Sequence, residues 1–212
     1  MNERYRWRGG SENLLRHGAG LPITLLVLPA LFEESNRMRR FTVSVMRYLA
    51  TKDIGTILPD LPGTGESETA ICDIEFADWQ DAVRAHSGNV WGSISFRGGA
   101  LLDGAGNRRW QLAPDTGERL LRDMMRATAI SGDGSVVEIE RQASKQPTRL
   151  AGHLFSPEMY RALRSAKVVS GAHVCEVVGP KLWRAAEPAE DAAFALRVAD
   201  DIVNWGNTCA AS

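Results

Sequence analysis

The run Ile23-Thr24-Leu25-Leu26-Val27-Leu28 lies between Pro22 and Pro29. It is branched and almost wholly apolar, with no polar face to offer water. A strand of this kind is covered on both sides, as in a parallel sheet flanked by helices. The rest of the chain follows the same rhythm. Arg37–Ala50 reads as a helix, with Met38, Phe41, Val45, Tyr48 and Leu49 at three- and four-residue spacing. Thr56–Pro59 reads as a strand, Ile74–His86 as a helix buried through Phe76, Trp79 and Val83, and Val90–Ser95 as a third apolar strand. Arg108–Leu112 and His173–Val178 are further strands, and Gly117–Ala129, Ser156–Ala166 and Ala189–Trp205 further helices. Ser156-Pro157-Glu158 carries an N-cap, a proline at the first helical position and an acid in the first turn. Such alternation predicts βαβ units with right-handed crossovers, hence an α/β fold with a doubly wound, mostly parallel sheet. Elsewhere, Tyr5–Trp7 reads as a short edge strand, Glu12–Arg16 as loop or a helical turn, Phe32–Asn36 as polar loop, and Val136–Glu140 as a short strand.

In such sheets ligands bind beyond the carboxyl ends of the strands. Chain order puts three segments there: Phe32–Asn36, Asp60–Ser67, and the turn after Val90–Ser95. That turn belongs to Asn89–Leu102, NVWGSISFRGGALL, in which a strand runs through glycines into a helix. A nucleophile carried on a sharp strand-to-helix turn is flanked by small residues, and Ser95-Phe96-Arg97-Gly98-Gly99 has that frame. The residue in the nucleophile slot is Arg97. A guanidinium stays protonated, with five donors and no lone pair to attack with.

Bulk properties exclude several classes. With 212 residues and 44% hydrophobic composition the chain can bury one good core, so residues 1–212 are expected to form one domain. Twenty-five basic residues against 26 acidic ones give no electrostatic reason to expect nucleic acid or an anionic membrane as partner. Cys72, Cys175 and Cys209 are widely spaced and odd in number, which fits reduced thiols in a cytoplasmic protein. The N-terminus has no apolar signal segment, and the longest apolar run, Leu21–Phe32, is well short of the roughly 20 residues of a membrane span. No metal and no cofactor is expected.

Four stretches together resemble the α/β-hydrolase superfamily: LPALFEESNRMRR (28–40), DLPGTGES (60–67), SFRGGALL (95–102) and WQLAPDTGERLLRDMMR (110–126). More narrowly, they and the tail KLWRAAEPAE (181–190) are similar to exosortase system-associated hydrolase-like proteins of the second type. The resemblance implies an α/β-hydrolase-like sheet with a small helical cap inserted at about residues 115–166. It also implies two strands after that cap, whereas only one is clear here, so the sheet is expected to lack one C-terminal strand. The family is associated with bacterial protein sorting and exopolysaccharide production.

A hydrolase of this fold needs a nucleophile, an acid and a histidine in that chain order. After the turn only His153 and His173 remain, and the loop Gly179–Pro188, where the base belongs, holds no histidine. The residues therefore point to a hydrolase-like protein with a degenerate active site, serving as an accessory or ligand-binding protein. Arg97 then either pairs with Glu33 or Glu34 and plugs the old site, or joins the turn's backbone N–H groups in binding a small anionic or acyl ligand. In the second case Arg97, Glu33, Glu34, Asn36, Phe96 and Gly98 line the site. The alternative is an esterase- or thioesterase-type acyl hydrolase with a displaced nucleophile, Ser95.

Overall fold

The computed structural model describes residues 2–104, 106–132 and 134–210. A seven-stranded sheet runs through the molecule. Its strands are β1 (Asn2–Trp7), β2 (Gly10–His17), β3 (Ile23–Leu28), β4 (Ile54–Pro59), β5 (Gly92–Phe96), β6 (Arg109–Leu112) and, after a separate hairpin, β9 (His173–Val174). They lie in the order β1-β2-β4-β3-β5-β6-β9. From β4 to β9 every pairing is parallel, while β1 and β2 form an antiparallel hairpin whose second strand also runs antiparallel to β4. This is the doubly wound, mostly parallel sheet expected from the alternation of elements.

Side chains of β3 divide between the two faces, as a strand buried on both sides requires. Leu25 and Val27 join the core beneath α1 (Glu33–Ala50) and α6 (Ala192–Ala210), packing with Phe41, Val45, Phe194 and Val198. Leu26 and Leu28 join the opposite core, with Trp79 of α2 (Phe76–Ser87) and Leu120 of α3 (Gly117–Ile130). The 113–172 stretch supplies α3, α4 (Val136–Ala143), the hairpin of β7 (Thr148–Leu150) and β8 (His153–Phe155), and α5 (Pro157–Ser165). Ile139, Leu150, Phe155 and Tyr160 from this stretch belong to the same continuous core. Among the described residues no helix is long and apolar enough to cross a membrane.

Four local expectations need correction, the first being that the last strand covers only His173–Val174 of the expected His173–Val178. Glu12–Arg16 is strand, inside β2, not loop or helical turn. Its sequence, GSENLLRH, carries no β-branched residue, so pairing with β1 and β4 on its two sides decides its conformation. Helix α1 starts at Glu33, so the segment read as a polar loop is its first turn. Glu33 and Glu34 sit at the helix's positive end, where carboxylates are favoured. Val136–Glu140 is helical rather than a strand. Ser135 and Glu138 form a reciprocal capping box that satisfies two otherwise orphaned donors, and this outweighs the strand preference of Val136 and Val137.

One tight crossing lies just past β5. A Cβ on Gly99 would sit 2.4 Å from the Pro29 carbonyl oxygen and 2.6 Å from that of Leu28. Gly99→Ala is expected to cost about 1–3 kcal/mol in urea unfolding, the usual range for overpacking. Gly88→Ala, where open space surrounds an ordinary helical φ of −75°, should leave stability unchanged or slightly raised. Equal effects at the two positions would show that the crossing is not tight.

Candidate functional site

Strand β5 ends at Phe96, and the chain turns at once into a 3-10 segment, Arg97–Leu102. Arg97 has φ +52°, in the left-handed region that residues with a Cβ seldom enter. The turn is therefore the sharp, strained joint expected from the glycine-rich frame, with Arg97 at its apex. Phe32, at the end of the neighbouring β3 loop, is also held at positive φ, +56°. Two strained residues thus face each other across adjacent strand ends.

The Arg97 guanidinium is almost fully buried and its hydrogen bonds are extensive. Nε donates to Glu34 Oε2 at 3.1 Å and Nη2 to Glu34 Oε1 at 3.0 Å, a bidentate fork. Nη2 also donates to Asp115 Oδ2 at 2.6 Å, and Nη1 donates to the Ala113 carbonyl at 2.9 Å. The Trp183 ring closes the remaining face, 4.6 Å from the guanidinium carbon. Asp115 is held in turn: its Oδ1 accepts from the Thr116 backbone N–H at 2.9 Å and faces Arg119 Nε at 3.3 Å. Trp183 is tied down by Arg37, which donates to its carbonyl at 3.1 Å. Burial pushes the Glu34 carboxyl up, against the downward pull of Arg97.

A second polar layer lies under the turn. Asp103 is fully buried. Its carboxylate accepts from the Ser93 hydroxyl, from Ser95 Oγ at 3.3 Å and from Gln111 Nε2 at 3.0 Å. Ser95 also lies 3.4 Å from the Trp110 carbonyl and is 0% exposed. Its hydroxyl thus points beneath the sheet edge, with acceptors around it and no histidine partner among the described residues.

The other expected site residues separate. Glu34 reaches Arg97, whereas Glu33 is half exposed and lies 3.7 Å from His153 Nε2. Phe96 is 0% exposed and packs edge-on against Phe41 and Trp110, turned into the core. Gly98 is buried under Leu31 and Leu120. Neither faces a ligand-sized space. Asn36 instead lines a cleft of about 240 Å³ between the start of α1 and the end of β4, together with Ser35, Arg39, Asp60 and His153. His173 Nε2 lies 3.5 Å from Asp201 on α6, and Asp201 also accepts from Trp110 Nε1 at 2.8 Å. Among the described residues no group of three or more His, Cys, Asp or Glu could hold a metal ion.

Sequence reasoning missed Asp115, Asp103 and Trp183. Asp115 carried a usable signal, since it follows the carboxyl end of β6 by three residues and so belongs to the same sheet edge as Arg97. Asp103 in its glycine-rich loop and Trp183 in its irregular segment carried none.

Two tests follow from this geometry. Asp115→Ala should cost about 3–5 kcal/mol in chemical denaturation, because it leaves a buried guanidinium short of a counter-charge. In an Arg97→Met background the same change should cost at least ~1 kcal/mol less, the signature of direct coupling. Additive effects would show that the two do not interact. The second test concerns pH. Burial raises the Asp103 carboxyl above its ordinary 3.8, although bonds from Ser93, Gln111 and Ser95 lower it. The folded chain therefore keeps that proton to higher pH than the unfolded chain. Stability from the neutral acid is complete below the unfolded value and is lost as pH rises through the raised folded value. Asp103→Asn should flatten that decline relative to wild type in urea midpoints measured from about pH 3 upward. An unchanged pH profile would remove Asp103 as its source.

No protein-family model matches the chain, and no curated protein matches it in sequence. Solved structures do match in fold. One is a proposed hydrolase from Agrobacterium vitis S4, at TM-score 0.54 and 16% identity over 82% of this chain and 77% of that one. Another is Est1E from Butyrivibrio proteoclasticus, solved with ferulic acid bound, at TM-score 0.53 and 14% identity over 78% and 72%. A third is the bottromycin epimerase BotH in complex with bottromycin A2, at TM-score 0.53 and 15% identity over 94% and 98%. At such identities the likeness concerns architecture alone, and it agrees with the strand order and the strained turn after β5: the chain has an α/β-hydrolase-like fold.

Proposed function

We propose that this protein is a hydrolase-like chain with a degenerate active site, which binds a ligand rather than cleaving one. The observation that carries the reading is the Arg97 cluster. The apex of the turn, where a nucleophile would stand, holds a cation bonded to Glu34, Asp115 and the Ala113 carbonyl and covered by Trp183. An arginine so saturated offers neither a nucleophile nor a free charge for an incoming anion. Both acids and the ring act as a plug, so the ligand, a small anionic or acyl molecule, is taken elsewhere on the same sheet edge. By its resemblance to the exosortase-associated hydrolase-like proteins, the chain serves as a cytoplasmic accessory protein in protein sorting or exopolysaccharide production.

The acyl-hydrolase alternative is weakened by the burial of Ser95 and its bonding to Asp103 and the Trp110 carbonyl. Turnover of p-nitrophenyl acetate and butyrate decides between the two. The wild-type protein should release product no faster than buffer, and Ser95→Ala should change nothing. Turnover well above buffer that disappears in a folded Ser95→Ala variant would establish the enzyme and end the binding-only reading.

A further inference from the structure

The cleft beside α1 gathers polar side chains at this sheet edge, among them a long Arg39–Asp60 ion pair and a buried His153 nitrogen. Ser35 is half-buried and Asn36 exposed at its rim. His153 Nε2 is buried without a hydrogen-bond partner, the nearest acid being Glu33 Oε1 at 3.7 Å. Arg39 and Asp60 approach only to 3.8 Å, too far for a hydrogen bond. A buried ring nitrogen left in this state is costly unless something completes it.

The cleft is also electrically divided. Asp60 stands at one end, where burial raises its carboxyl; Arg39 lowers it, while Glu66 and Glu12 raise it further. That end favours a cation. Glu12 is itself buried and accepts from Ser67 Oγ at 2.8 Å, and Ser67 accepts from the Gly63 N–H at 2.9 Å, so the acidic end is tied to the Gly63–Ser67 loop. Beside Asp60, at 3.8 Å, stands the Arg39 guanidinium, and with the Asn36 amide and the Ser35 hydroxyl it makes a set suited to a carboxylate, while His153 lies toward Glu33 at 3.7 Å. Its 240 Å³ falls below the roughly 300–1,000 Å³ of drug-sized sites, which sets the scale at a metabolite.

We propose that this cleft binds a small zwitterion, an amino acid with its ammonium at Asp60 and its carboxylate at Arg39 and Asn36. The proposal rests on the binding reading above and narrows its small anionic molecule to one whose carboxylate is accompanied by an ammonium. A ligand with both charges inserts between Arg39 and Asp60 and replaces their long contact with two short charge-assisted bonds. A singly charged ligand satisfies one end and leaves the other partner without its counter-ion. His153 lies against Phe32, ring centroids 5.4 Å apart, and so closes the cleft next to the strained end of the β3 loop.

Isothermal titration of the full chain tests this with glycine, L-alanine, β-alanine and γ-aminobutyrate, against acetate, methylamine and glycerol. At least one zwitterion should bind at least tenfold more tightly than any of the three controls. Asp60→Asn and Arg39→Gln should each weaken that binding tenfold or more. Arg39 is largely exposed, so its variant will fold even if Asp60→Asn does not. Binding no tighter than acetate or glycerol overturns the proposal, as does binding unaffected by Arg39→Gln. Failure here is read as absent or unselective heat of binding. Failure of the underlying functional reading is read as ester turnover, so the two are separable.

Discussion

Burial of a guanidinium at the apex of the turn after β5 is the constraint around which the carboxyl edge of the sheet is arranged. An ion taken from water loses several kcal/mol of hydration even after relaxation, and only close, well-directed partners offset that loss. Arg97 draws those partners from three separate segments: the first turn of α1, the link after β6, which supplies both Asp115 and the carbonyl of Ala113, and the loop bearing Trp183. The same cation therefore fixes where α1 begins relative to β5. It also holds the segment leading into α3 against the sheet. Arginine at this apex thus acts as a fastener for the loops around it.

Beneath the fastener, a second carboxylate takes a different solution to the same problem. Glu34 and Asp115 lie beside a permanent cation, whereas Asp103 faces two hydroxyls and an amide. Without a cation in contact, burial dominates and the proton is held more tightly. The turn is thus bracketed by an ionic layer above and a hydrogen-bonded layer below. Gly98 and Gly99 let the chain pass between them where a side chain would strike Leu31 or the β3 carbonyls. A cleft lies to the side, between α1 and β4, where Arg39 and Asp60 face each other across 3.8 Å.

Much of the sheet was legible because its central strands have no polar face. ITLLVL can be stable only when covered on both sides, and the observed split of Leu25 and Val27 from Leu26 and Leu28 is that requirement met. The elements that were misread lack such a signature. Nothing local marks GSENLLRH as a strand; it becomes one because β1 and β4 offer backbone partners on both edges. Val136-Val137 suggests a strand, yet the capping box of Ser135 and Glu138 makes helix the better local solution. At the site, Arg97 and Glu34 were readable as a pair because each lies at the carboxyl end of its strand. Which of two adjacent acids would reach the arginine was not.

By itself the sequence determined the class of sheet, the sharp turn, and the chemistry forbidden at its apex, because these follow from apolar runs, glycine spacing and the fixed charge of arginine. Tertiary structure decided the partners. The choice of Glu34 over Glu33, the recruitment of Asp115 and Trp183, the sinking of Ser95 onto Asp103 and the gathering of Arg39, Asn36, Asp60 and His153 around one cleft all join residues distant in the chain. Hydrogen bonds and ion pairs act over about 3 Å, and no spacing along a sequence encodes which distant groups will be brought that close.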